Sequence, residues 1–348
     1  FAFSLYIRSI RELIAKYGYR GETHRVTTQD GYILEMHRIT GPNSDPSPRG
    51  KQPILIMHGL LSINDFLFST VLSGYILADD GYDVWMGNFR GNIFSRRHKK
   101  YSLLDKEYWQ FSWHEVGIQD IPAMIDYVLN NTSRQQLIYA GHSQGTTAFW
   151  VMASELPEYQ SKVKAMFALA PVAHLRYTRS PFYQVLARFM IAVACHGEAA
   201  SQPLCINIVF LVGGRSDQLN ATMIPAILGH VPAGASVKQV VHYGQVVKAR
   251  KFQQYDHGLI GNLKKYRKIR PPIYDLSKVK VPVYLHYGAN DWLSDPKDIS
   301  RLFKELGNPI GKFRVPDEKF GHLDFLWANN VKQLLYDKIM GLMERHRD

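Results

Sequence analysis

The chain has 348 residues but only two cysteines, Cys195 and Cys205, so no disulfide framework can hold it together. The two thiols lie ten positions apart in an apolar stretch and form either one bridge or two buried free thiols. No run of 18 or more uninterrupted apolar residues occurs, which argues against a membrane-spanning helix. Gly-x-Gly-x-x-Gly, P-loop, His-Glu-x-x-His and Cys-x-x-Cys patterns are all missing, so no nucleotide, metal or other cofactor is implied. Acidic residues are in deficit, 30 against 42 Lys and Arg, for a net charge of +12. Such a charge favours anionic lipid surfaces or nucleic acid. The densest basic runs, Arg96-Arg97-His98-Lys99-Lys100 and Lys264-Lys265-Tyr266-Arg267-Lys268, carry no zinc-finger or RNA-recognition signature. They read as solvated faces with a secondary attraction to interfaces, and no nucleic-acid partner is expected. The chain also lacks a basic-then-apolar leader and opens on Phe1, which predicts a processed or trimmed product whose targeting segment, if any, is gone.

A hydrophobic fraction of 46% and a charged fraction of 21% suit a globular protein with a sizeable core. The most informative stretch runs from Gln136 to Ala153. An apolar run readable as a buried strand breaks into Gly141-His142-Ser143-Gln144-Gly145, then continues with helical character through Ala148 to Ala153. A strand-to-helix turn this sharp excludes side chains at its flanks, and Gly141 and Gly145 meet that demand. The turn lifts the Ser143 hydroxyl clear of the sheet, where it can attack a carbonyl carbon.

A serine hydroxyl is a weak nucleophile unless a base removes its proton. In this architecture the partners follow in the order serine, acid, histidine. Asp291 stands just past the apolar strand Val281 to Gly288, and His322 lies in the loop after a last strand at Lys312 to Val315. Those placements predict His322 as proton carrier and Asp291 as the group that orients it. Asp295 and Asp298 are alternative acids in the same loop. The oxyanion of a tetrahedral intermediate needs two fixed donors. The amide of Gln144, directly after the nucleophile, is one. The amide of Leu60, in His58-Gly59-Leu60-Leu61 after the strand Pro53 to Met57, is the other.

The N-terminal part reads as a helix over Ile7 to Lys16, then two alternating strands joined by Gln29-Asp30-Gly31, a hairpin signal. Gly41 to Gln52 reads as a loop. From Pro53 onward apolar strands alternate with helices, the pattern of a mostly parallel sheet. That rhythm breaks after Ala170-Pro171 and resumes after Pro271-Pro272. Residues 174–275 are therefore expected to be a cap inserted into a single domain. Ser180-Pro181 reads as an N-cap with proline at the first helical position, opening an apolar stripe from Phe182 to Val193. A large apolar face above a catalytic serine suits a long acyl chain. Asn130, Asn131 and Asn220 head Asn-x-Ser/Thr triplets and are candidate glycosylation sites.

Taken in order along the chain, these motifs resemble the acid lipase family, which includes gastric and lysosomal acid lipases and insect digestive lipases. The match is carried by Glu22-x-His24, Asp30-Gly31-Tyr32, His58-Gly59-Leu60-Leu61, Asn88-x-Arg90-Gly91-Asn92 and Phe111-Ser112-Trp113-x-Glu115. It continues through Gly141 to Gly145, Pro232-Ala233-Gly234, Asn290-Asp291-Trp292-Leu293 and His322-Leu323-Asp324-Phe325. The resemblance implies an α/β-hydrolase fold with a cap and lid. It also implies a neutral-lipid substrate, triacylglycerol or cholesteryl ester, met at a lipid–water interface, and secretion or lysosomal residence with N-glycans. The family's nucleophile, acid and base fall on Ser143, Asp291 and His322, and its oxyanion donors on Leu60 and Gln144. The family's cap cysteine after Leu204 to Val212 is replaced by Gly213-Gly214, leaving Cys195 and Cys205 as the remaining candidate pair. The expected activity is serine-dependent ester hydrolysis without metal or cofactor. Its alternatives are a soluble carboxylesterase preferring monomeric esters, or a non-catalytic lipid-binding protein on the same scaffold.

Overall fold

The apolar runs that alternate with helical segments become the strands of one twisted sheet in the computed structural model. It describes residues 10–62, 73–181, 183–184 and 233–347. Nine strands take the order β1-β2-β4-β3-β6-β7-β8-β9, with the short β5 (Arg97–His98) paired to β2 off the main path. β1 (Tyr19–Thr27) and β2 (Tyr32–Pro42) form the expected antiparallel hairpin, and β2 also runs antiparallel to β4 (Tyr82–Gly87). From there β3 (Gln52–Met57), β6 (Leu137–His142), β7 (Val163–Leu169), β8 (Val283–Tyr287) and β9 (Pro309–Arg314) are all parallel.

The burial pattern follows from this order. Every residue of the central strands β3, β4 and β6 is buried, as expected where helices cover both faces. The edge strand β9 alternates between half-buried and exposed. Side-chain alternation splits the core into two layers. Leu55 and Met57 join Trp85, Trp113, Phe149 and Trp150 on one face, whereas Ile54 and Ile56 meet Tyr75, Leu335, Ile339 and Met343 on the other. The longer helices among the described residues are α1 (Ile10–Lys16), α2 (Ser73–Asp79), α3 (Ile121–Thr132), α4 (Gln144–Glu155), α5 (Val237–Ala249), α6 (Gly258–Tyr266), α7 (Pro296–Glu305) and α8 (Asp337–Met343).

The described part of α1 spans Ile10–Lys16, and residues 7–9 of the expected helix lie outside the described residues. Two other boundaries differ from the sequence reading. Strand β2 runs on to Pro42, so the connecting loop starts later than Gly41. Gly41 adopts φ 150°, and an added Cβ would lie 2.2 Å from the Asp45 carbonyl oxygen, so glycine lets the strand pass that carbonyl. The helix after Ser143 starts at Gln144 and lasts to Glu155, longer than the stretch from Ala148 to Ala153.

Between Leu169 and Val283 the chain leaves the sheet and returns to the adjacent strand. Of that excursion α5 and α6 are described, together with one turn opening at Pro181, where the Gln184 amide donates to the Ser180 carbonyl at 3.1 Å. Cys195, Cys205 and Asn220 lie outside the described residues.

Candidate active site

Strand β6 delivers Ser143 by running straight into α4 with no intervening loop. The turn places Ser143 at φ 51°, ψ −113°, a left-handed conformation for a residue that carries a Cβ. Such strain costs on the order of 1–3 kcal/mol and persists where the surroundings enforce it. Here the enforcement is visible: a Cβ on Gly141 would lie 2.8 Å from the Gly145 carbonyl carbon, and one on Gly145 would lie 2.5 Å from the Met57 carbonyl oxygen. The Ser143 amide donates to the Leu169 carbonyl of β7 at 3.0 Å, and Thr146 returns both its amide and its hydroxyl to the Ser143 carbonyl.

Two loops from the far end of the chain close on this serine. His322 Nε2 lies 2.8 Å from Ser143 Oγ, and His322 Nδ1 lies 2.8 Å from Asp291 Oδ2. An ionised carboxylate only accepts, so Nδ1 carries the ring proton and Nε2 is left to accept from the hydroxyl. The other Asp291 oxygen accepts from the amides of Leu293 and Ser294 at 2.8 and 2.7 Å, which fixes the carboxylate. All three groups are buried, Asp291 completely.

The alternative acids are occupied elsewhere. Asp295 caps α7 by accepting from the Lys297 amide, and Asp298 accepts from the Tyr177 amide. Asp324 holds the histidine loop by accepting from the Gly321 amide at 2.6 Å.

Gln144 follows Ser143 directly in the chain, and Leu60 lines the same cavity as Ser143. Gln144 is the first residue of α4, so its amide belongs to the helix N-terminus, where backbone donors lack intrahelical partners. Leu60 lines the cavity above the serine, and Gly59 packs so tightly that an added Cβ would lie 3.2 Å from Ser143 Cβ. This cavity encloses about 810 Å³, including its open mouth. Among the described residues its walls are mostly apolar (Leu175, Tyr183, Val240, Leu293 and Trp327 among them), with Ser62, His142, Ser143 and His322 as polar side chains within them.

Several supporting contacts around the site could not be read from the sequence. His142 donates from Nε2 to the His322 carbonyl at 3.1 Å, and burial pushes its pKa down to about 3, so it stays neutral beside His322. Gln144 Nε2 donates to Gln239 Oε1 at 2.6 Å, and Tyr243 donates to the Thr147 hydroxyl at 3.0 Å. Helix α5 is thereby tied to α4 by two buried hydrogen bonds. The Ala233 amide, four residues before α5, donates to the Leu61 carbonyl at 2.8 Å. Arg90, fully buried, pairs with Asp30 and Asp120 and stacks over the Tyr32 ring at 3.9 Å. That network accounts physically for the Asp30-Gly31-Tyr32 and Arg90 motifs: it locks the N-terminal hairpin to the loop after β4.

Asn130 and Asn131 are exposed at the end of α3. Among the described residues no group of three or more His, Cys, Asp or Glu side chains is arranged to hold a metal ion. No described helix is long and apolar enough to cross a membrane.

Comparison with known proteins gives the family and the fold. Residues 10–70 match the partial alpha/beta-hydrolase lipase region, and residues 52–329 match the alpha/beta hydrolase fold. Lipase 1 of Drosophila melanogaster is 41% identical over 355 residues, covering 96% of this chain and 79% of the relative. Gastric triacylglycerol lipase of Bos taurus is 36% identical, with 96% and 91% covered. Human lysosomal acid lipase/cholesteryl ester hydrolase is 34% identical, with 97% and 91% covered. An esterase from Exiguobacterium antarcticum superposes with a TM-score of 0.58 at 12% identity, covering 93% of this chain and 99% of its own, which speaks to the fold alone. With a matching fold, matching relatives along nearly its whole length and a buried serine–histidine–aspartate relay, the chain belongs to the α/β-hydrolase lipases, as a carboxylic ester hydrolase of the acid-lipase type.

Proposed function

We propose that the protein cleaves long-chain neutral-lipid esters, triacylglycerols or cholesteryl esters, through an acyl-enzyme on Ser143. The observation that carries this reading is the relay of two 2.8 Å contacts from Asp291 through His322 to Ser143, set beneath an apolar cavity. His322 Nε2 takes the hydroxyl proton as Ser143 Oγ bonds to the carbonyl carbon, and the carbonyl π pair moves onto oxygen. The Leu60 and Gln144 amides receive that oxyanion. Collapse of the intermediate expels the alcohol, which leaves with the proton from His322. Water then repeats the cycle on the acyl-enzyme and frees the fatty acid and Ser143.

Residues 174–275 act as the cap. Tyr183, Val240 and Tyr243 already wall the cavity, so this insertion supplies part of the acyl-binding surface. Contact with substrate is peripheral, at a lipid–water interface. The names of the gastric and lysosomal relatives support a secreted or lysosomal setting, and Asn130 and Asn131 are exposed acceptors for N-glycans there.

The test compares emulsified long-chain triglyceride with a dissolved short-chain ester, alongside labelling by an activated phosphonate. The expected result is phosphonylation of Ser143 and faster turnover of the emulsion. Preference for the dissolved ester would overturn the lipid substrate in favour of a soluble carboxylesterase. Absence of both turnover and label would leave only a binding role.

A further inference from the structure

We propose that His58 is a positioning residue that aims the Leu60 amide at the substrate oxyanion by holding the carbonyl of the same peptide unit. The inference rests on the ester-hydrolase reading above and deepens it. The peptide between Gly59 and Leu60 is planar, and in a trans unit the carbonyl and the N–H point in opposite directions. Whatever fixes the Gly59 oxygen therefore fixes the Leu60 hydrogen. His58 Nδ1 lies 2.7 Å from that oxygen, and His58 Nε2 lies 3.1 Å from the Phe89 amide nitrogen. A backbone N–H only donates and a carbonyl only accepts, so Nε2 is bare and Nδ1 carries the proton. One neutral tautomer satisfies both contacts. Only 4% of the residue is exposed.

The ring is thus a splint between the loop after β3 and the loop after β4, and the far end of the splint is anchored. The amide of Arg90, next to Phe89, donates to Asp120 Oδ2 at 3.0 Å, and its guanidinium is clamped by Asp30 and Asp120. The near end resists relaxation less well. Leu61 adopts φ 60°, a strained conformation for leucine, and the loop is held from the other side by Asn92 Nδ2 on the Ser62 carbonyl and by the Ala233 amide on Leu61. Gly59 meanwhile presses against Ser143 and lies 3.1 Å from His142 Nδ1 through its would-be Cβ, so the peptide cannot retreat toward the nucleophile. Rotation of the Gly59–Leu60 unit is the remaining freedom, and His58 removes it.

A histidine that merely filled space would stabilise the loop without setting its aim, and the two roles separate on substitution. Asparagine places an N–H donor near the position of Nδ1 but cannot serve the Phe89 amide, whereas alanine does neither. With a dissolved p-nitrophenyl ester, His58→Ala is expected to lose about 10²–10³-fold in kcat, the effect of one oxyanion donor, with KM changed by less than about threefold. Inhibition by a trifluoromethyl ketone, whose hemiketal oxygen occupies the same position, weakens by a similar factor. His58→Asn is expected to recover at least about tenfold of the kcat loss while its Tm falls as far as that of His58→Ala. A His58→Ala kcat within about threefold of wild type overturns the inference, and so does a His58→Asn variant no faster than alanine. Wild-type protein that neither turns over the ester nor takes phosphonate on Ser143 overturns the hydrolase reading and this inference together. An active, labelled wild type with an unaffected His58→Ala variant overturns this inference alone.

Discussion

Ser143 owes its conformation mainly to the turn around it, whereas His322 and Asp291 reach it from loops far along the chain. The serine turn depends on Gly141 and Gly145, on Thr146 returning two hydrogen bonds to it, and on a strained φ of 51° that the strand and helix impose. The partner loops have no comparable backbone strain. His322 takes its carbonyl contact from His142, 180 positions earlier, and Asp291 is fixed after a loop that leans on Ser294 and Pro171. The Ser143 turn is thus a stiff local device, and the His322–Asp291 pair is an assembly whose geometry exists only once distant segments have packed. Strain is stored where the chain can enforce it locally.

The comparison predicts unequal responses. Ser143→Ala is expected to lower kcat by about 10⁶-fold with the fold intact, read by ester hydrolysis and circular dichroism. Ser143→Gly, equally inactive, should instead raise Tm, because glycine adopts φ 51° without strain. A Ser143→Gly variant no more stable than Ser143→Ala would remove the claim that the elbow stores strain.

Next in size is the acid. Asp291→Asn should cost about 10⁴-fold in kcat by disturbing the His322 tautomer. Asp295→Asn should leave kcat close to wild type and cost at most about 1 kcal/mol of stability through its cap on α7. Equal losses in the two variants would mean that the partner loops do not distinguish their carboxylates.

The smallest effect concerns β8, which carries the chain to Asp291. His286 is buried in that strand against Phe313, its Nε2 has no hydrogen-bond partner among the described residues, and burial lowers its pKa to about 3. The folded state keeps this ring neutral, while the unfolded chain takes up a proton below about pH 6.5. Its contribution to stability is therefore full above that pH and is lost as pH falls toward 3. His286→Phe should flatten the fall in Tm between pH 7 and pH 4, measured by calorimetry. An unchanged slope would show that β8 does not sense acid through this residue.

Legibility followed the same division. The strand–turn–helix around Ser143 could be read directly, because the collisions that demand Gly141 and Gly145 involve atoms a few residues away or in the adjacent strand. Asp291 and His322 could be placed by order and by their position after strands. Asp291 could not be separated from Asp295 or Asp298, since all three follow β8 and only hydrogen-bond direction tells them apart. His58 and His142 stand inside motifs that the sequence shows, but their side-chain contacts could not be read there: each is defined by a partner 31 or 180 positions away. The tie between Gln144 and Gln239 was hidden for the same reason, across 95 positions.

By itself the sequence determined the alternation of buried strands and helices, the tight serine turn and the identity of the groups able to move a proton. These depend on periodicity, side-chain volume and chemical type, which are properties of residues and near neighbours. Only the tertiary structure decided which carboxylate meets the imidazole, which tautomer each buried histidine holds and how α5 joins the cavity wall. Those outcomes turn on hydrogen-bond distances between segments far apart in the chain, and such distances arise only when the sheet closes its order and brings the segments together.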